Sequence, residues 1–234
     1  MLRRTYAFLL IAITVIAQPQ PAFEIASIKP TDPSNVGNQM FSQPGGRFRG
    51  INATLKSLIR YAYDVDDEQI IGASGWMESA GYDIAAKASD PNAADLRPMV
   101  RTLLADRFHL QFHNATRELP IYILSVSKAG AKLTAVDKAG IGVGGGKGRL
   151  NGKGADMATL ARVLRARLGR VVYDRTGIEG FFDFQVNFAP DDSVNADTPS
   201  IFTALQEQLG LKLETQKGAV DVIIVDHADK PSDN

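Results

Sequence analysis

The chain has 234 residues, 44% hydrophobic and 22% charged, with 26 basic and 26 acidic side chains and no cysteine. That balance excludes the basic footprint of a nucleic-acid binder, and the missing cysteine excludes a disulfide, a thiolate zinc site and a thiol nucleophile. Stability must therefore come from packing, and the length suffices for one large or two small cores.

At the N-terminus Arg3 and Arg4 precede the apolar run Tyr6 to Ala17 (YAFLLIAITVIA), which gives way to the polar, proline-rich QPQPA. This order of basic, apolar and small residues is that of a secretory signal peptide over residues 1–22. The run is shorter than the ~20 apolar residues that a membrane-spanning helix needs. Cleavage after Ala17 or Ala22 leaves 24 basic and 26 acidic side chains. The expected localisation is periplasmic or secreted, with membrane association only if the leader is retained.

After the leader, Phe23 to Ile28 reads as a strand, and the proline- and glycine-rich stretch Lys29 to Gly46 as a long loop. Leu55, Leu58, Ile59 and Tyr61 to Ala62 fall at helical spacing behind Thr54, a candidate N-cap. A short apolar strand, a Gly-containing loop and then Tyr82-Asp83-Ile84 follow. A second helix is expected from near Asp95 to Arg107. Phe108 to His113 alternates as a half-buried strand does, Ala115 to Pro120 suggests a hairpin turn, and 121–126 forms an apolar central strand. Residues 137–147 (DKAGIGVGGGK) read as a linker.

The same order then returns. Met157, Leu160, Ala161 and Leu164 form a helical face behind Asp156, and Phe182-Asp183-Phe184 takes the place of Tyr82-Asp83-Ile84. A helix from Pro199-Ser200 to Gly210, a strand at Leu211 to Leu213, a turn at Gln216 to Gly218 and a central strand at 222–226 complete the series. Residues 100–127 align with 201–227 at an offset near 101, kept across four elements. We expect an α+β fold, a tandem duplication of a β-α-β-β-α-β-β unit with helices layered on sheet. The units are placed at 23–136 and 148–234.

Chemical signals are sparse. His109 and His113 sit four apart, but on a strand their Cα atoms would be about 13 Å apart, too far for one ion bound at about 2 Å. No metal site or cofactor is expected. His227 lacks a nucleophile elbow to serve, and Ser74, in Ala73-Ser74-Gly75, lacks a strand-to-helix context. Gly142 to Gly148 leads into a strand, where a phosphate-binding loop would lead into a helix.

Asp83 and Asp183 recur at matched positions, as two binding sites or as one fold-stabilising hydrogen bond per copy. The structural reading is favoured, because function seldom stays duplicated while structure must. Trp76 is either a contact residue or a plug for its own core. Trp76, Asp83, Asp183 and His227 are the candidate binding residues, with no catalytic residue assigned.

The segments FEIASIKP, GGRFRGINATLKSLIRYAYDV, LLADRFHLQFHNATRELPIYILSVSK, VVYDRTGIEGFFDF and PSIFTALQEQLGLKLETQKGAVDVIIVDHADKPSDN together resemble a soil-associated, mainly acidobacterial family of exported proteins defined by a domain of unknown function. The likeness covers almost all of 23–234 and implies no specific activity. Some members appear joined to membrane metallopeptidases of the antibiotic-sensor type, which implies a sensing or interaction role; this chain has no HExxH motif. NATLKSLIRYAYDVDDEQIIG is similar in pattern to the short periplasmic modules of secretins and TonB-dependent receptors, which bears on fold alone.

The expectation is a non-enzymatic extracytoplasmic interaction or ligand-binding module. Its partner would be an envelope protein, met through a strand edge or the groove between copies. The alternatives are a hydrolase with a carboxylate site drawn from Asp83, Asp174 or Asp183, and a self-assembling envelope component.

Overall fold

Thr54 and Asp156 start their helices as expected: the Thr54 hydroxyl accepts from the Ser57 N–H, and Asp156 from the Thr159 N–H. These caps satisfy amide groups that the first helical turn leaves without a partner. The computed structural model describes residues 20–32, 34, 35, 37–190 and 198–232. Most of the expected leader therefore lies outside the described residues.

In the first half the elements are β1 (Phe23–Pro30), β2 (Gln39–Gln43), β3 (Arg47–Ala53), α1 (Leu55–Tyr63), a 3-10 turn (Asp67–Gln69), β4 (Ile70–Ile71), α2 (Trp76–Ser79), β5 (Tyr82–Ala88), α3 (Arg97–Phe108) and β6 (Gln111–Val126). The second half has β7 (Thr134–Val136), β8 (Gly142–Gly144), β9 (Arg149–Ala155), α4 (Met157–Leu168), β10 (Val172–Asp174), β11 (Phe181–Asn187), α5 (Ile201–Ala204), a π-helical turn (Leu205–Leu209) and β12 (Leu211–His227). The fold is α+β.

One four-stranded sheet has the order β1-β5-β3-β2 and another the order β7-β11-β9-β8. Along β5, Tyr82, Ile84, Ala86 and Ala88 are buried while Ala85 and Lys87 are exposed, so one face meets the core. That face packs with Leu55, Leu58 and Ile59 of α1 and Val100, Leu104 and Phe108 of α3. The second core repeats the plan with Val186, Leu160, Leu164 and Leu205.

The third sheet joins the halves, and across the three sheets three expectations are corrected. β6 and β12 are single strands of 16 and 17 residues, paired antiparallel from Leu211↔Val126 to His227↔Gln111. The hairpin turns expected at Ala115 to Pro120 and Gln216 to Gly218 are absent, so each presumed pair of strands is one. Those residues are mostly polar because they lie exposed along the ribbon. The stretch Lys29 to Gly46 is not a continuous loop, since Gln39–Gln43 pairs with β3. Within 137–147, Gly142–Gly144 forms an edge strand on β9.

At about 3.3 Å per residue the ribbon is about 50 Å long. It carries each half's last strand into the other half's core. Leu124 of β6 packs in the second core, while Ile223 and Val225 of β12 pack in the first. Between them Ile121, Val220 and Val222 are buried along the ribbon. Parallel pairing of β4 with β12 and of β10 with β6 completes this sheet.

Candidate functional site

Asp83 and Asp183 occupy equivalent places. Asp83 Oδ1 accepts the backbone N–H of Asn52 at 3.0 Å and the Thr31 hydroxyl at 2.7 Å. Asp183 Oδ1 accepts the backbone N–H of Gly154 at 2.8 Å, and its Oδ2 accepts from Lys153 Nζ at 2.8 Å. Asn52 and Gly154 both have positive φ, 50° and 55°. Each lies where the register of its strand pair slips, the mark of a β-bulge.

Hydrogen bonds from Asn52 and Thr31 hold the Asp83 carboxyl below the usual aspartate range. Those from Lys153 and Gly154 do the same for Asp183. Both carboxylates are committed to holding a bulge, and both favour the ionised form, the opposite of a proton-donating acid. Asp174 accepts from the Thr176 N–H and hydroxyl in a local turn. The three aspartates lie in three different sheets, on β5, β10 and β11.

Trp76 opens the short helix α2 and lies half-buried against the first core. His227, at the exposed end of β12, has Nε2 3.2 Å from Asp229 Oδ1, whose other oxygen is 3.2 Å from His109 Nδ1. His113 Nδ1 faces Asp226 at 2.9 Å. His109 is not on a strand: it caps α3 in the left-handed region, with φ 47°. All three histidines gather at one corner on two separate aspartates. Among the described residues, no group of three or more histidine, aspartate or glutamate side chains could hold a metal ion. Trp76, Asp83, Asp183 and His227 thus stand at four separate places.

What the structure does assemble is a groove of about 780 Å³ where the halves meet. Helix α1 and the turn after it supply Arg60, Tyr61, Asp64, Asp66 and Asp67; β2 supplies Met40 and Phe41; α3 supplies Arg97; and α4 supplies Arg162 and Arg165.

Arg165 fastens the halves. Its Nε donates to Asp66 Oδ2 at 2.6 Å and its Nη2 to the Asp64 carbonyl at 2.8 Å. Gln69, buried beneath, accepts from Arg165 and from the Asp66 N–H, and donates to the Asp221 carbonyl of β12 at 2.8 Å. One glutamine therefore links the turn, α4 and the ribbon.

The other arginines are held less firmly or elsewhere. Arg60 has Asp67 at 3.6 Å, and Arg97 is bound bidentately by Asp95 with Asp64 at 4.0 Å. Arg162 is exposed and makes no hydrogen bond or ion pair among the described residues. Arg60 and Arg162 each stand six residues after their helix N-caps, Thr54 and Asp156. That equal spacing is the signal by which the aligned sequence could have revealed the groove.

Together these features define an α+β protein of two like-ordered sheets, bound by a shared ribbon and carrying a charged groove at the seam. The chain belongs to the family described as protein of unknown function DUF3738, whose profile matches residues 56–228 and so begins within α1. No curated protein and no solved structure matches the chain.

Proposed function

We propose that this protein is an exported, non-enzymatic binding module, built by duplication of one unit, that takes its ligand in the groove between the halves. The observation that carries this reading is the groove itself: both halves line it, and its volume falls within the 300–1,000 Å³ typical of small-molecule sites. The matched bulge aspartates, the equal spacing of Arg60 and Arg162 and the equal strand orders support the duplication. The basic and apolar leader supports export. Asp83 and Asp183, the carboxylates that recur, hold backbone amides in separate sheets, which favours binding over carboxylate catalysis.

The test is capture from the organism's own envelope fraction with tagged mature protein, beside a variant whose groove is altered by Tyr61→Ala and Arg162→Glu. A defined small molecule retained by the wild type and lost by the variant is the expected result. Retention that is indifferent to the groove substitutions would overturn the reading. So would turnover of an ester, peptide or glycoside panel.

A further inference from the structure

Resting on the groove as the binding site, we infer that its ligand is a small molecule bearing an oxyanion, carboxylate or phosphate, gripped between Arg60 and Arg162. These two guanidinium groups come from corresponding positions of α1 and α4, one from each half, and line one groove. A guanidinium carries five N–H donors in a planar fork that suits carboxylate and phosphate. Arg162 has none of its donors engaged among the described residues, and Arg60 has only Asp67 at 3.6 Å.

The arginines here also have a structural duty that must be set aside first. The caps of α1 and α4, Asp64 and Gly169, both line the groove, and helix C-termini carry partial negative charge. Arg60 lies in the last turn of α1, and Arg165 and Arg167 in the last turn of α4. Arg162 lies earlier in α4, so charge compensation at the helix end does not account for it.

The lining cations differ in how firmly they are held. Asp66 is taken by Arg165 at 2.6 Å and Arg97 by Asp95, Arg60 has Asp67 at 3.6 Å, and Arg162 has no carboxylate within ion-pair distance among the described residues, the Asp156 charge acting on it only at longer range. Half-buried Phe41 and Tyr61 stand beside these donors, a surface on which the planar or apolar body of such a ligand can rest.

The experiment is calorimetric titration of the mature protein with phenyl phosphate, benzoate and pyrophosphate, beside benzyl alcohol and benzylamine as neutral and cationic controls. Saturable binding is expected for oxyanion probes alone, weakening as salt is raised. Phenyl phosphate against benzoate identifies which oxyanion is preferred, and pyrophosphate against phenyl phosphate shows whether the aromatic wall contributes. Arg162→Ala should weaken binding about tenfold, Arg162→Lys less, while Arg149→Ala, outside the groove, should leave it unchanged. Arg162 is exposed, so unchanged thermal unfolding of its variants checks that they fold.

Binding of the neutral or cationic probe alone, abolished by Tyr61→Ala, would overturn the oxyanion assignment and leave the groove reading standing. Oxyanion binding indifferent to Arg60→Ala and Arg162→Ala would overturn it as well. No binding by any probe, together with envelope capture indifferent to the groove, would overturn both.

Discussion

A β-bulge leaves a backbone N–H turned away from its ladder, and in both halves an aspartate on the neighbouring strand accepts it. Losing that acceptor while the amide stays half-buried costs on the order of 1 kcal/mol. Asp83→Ala should therefore lower unfolding stability by about 1–2 kcal/mol in urea titration, with a local rise in amide exchange at Asn52. The depressed pKa of Asp83 gives a pH dependence of definite sign. Its contribution is fully present above the ordinary aspartate value of about 3.9 and is lost as pH falls through the depressed folded value. Asp83→Asn should thus lose less stability than the wild type between about pH 5 and pH 2, as read by denaturant titration across that range. The recurrence of Asp83 and Asp183 was legible in the sequence. Their amide partners were not, because a bulge is defined by register between strands about thirty residues apart.

Among the elements, β9 and β11 meet through a size match. Gly152 lies opposite Phe184, and a Cβ at that glycine would overlap the aromatic ring. Gly152→Ala should destabilise the protein by about 1–3 kcal/mol, since the ring must leave its rotamer or the strands must part. Thermal unfolding checks this, and Gly152→Ala combined with Phe184→Leu should recover part of the loss. Arg165 joins α4 to the turn after α1, with Asp66 only 15% exposed at the side chain. Removing the guanidinium leaves that carboxylate poorly hydrated, so Arg165→Ala should cost about 1–3 kcal/mol, between the values for exposed and buried pairs. Urea titration of Arg165→Ala against Asp66→Ala and the double variant measures the coupling. The amphipathic helices and their caps were readable because 3.6-residue spacing is local. The polar waists of β6 and β12 misled, because exposed ribbon and turn share a composition.

The whole molecule is held by exchange of strands between its halves. Leu211 and Leu213 at the start of β12 belong to the second core, and Ile223 and Val225 at its end belong to the first. Each buried Leu, Ile or Val contributes about 1.5–3 kcal/mol, so neither half is complete alone. Residues 23–136 and 148–234, produced separately, should each lack cooperative unfolding, and when mixed should form a one-to-one complex that unfolds as the intact chain does. Sedimentation and circular dichroism of the pieces, alone and mixed, check this; two independently folded pieces would contradict it.

The sequence by itself determined the α+β class, the helix faces and caps, the matched aspartates and the expectation of export, because spacing, capping chemistry and leader composition act over a few residues. It also held the like order of elements in the two halves. Only the tertiary structure decided that the last strand of each half runs unbroken into the other half's core, and that Arg60, Arg162 and Arg165 meet at one groove. The physical reason is range. Backbone hydrogen bonding between residues 111–126 and 211–227 joins segments about a hundred positions apart, and the groove exists only where that pairing brings α1 and α4 together.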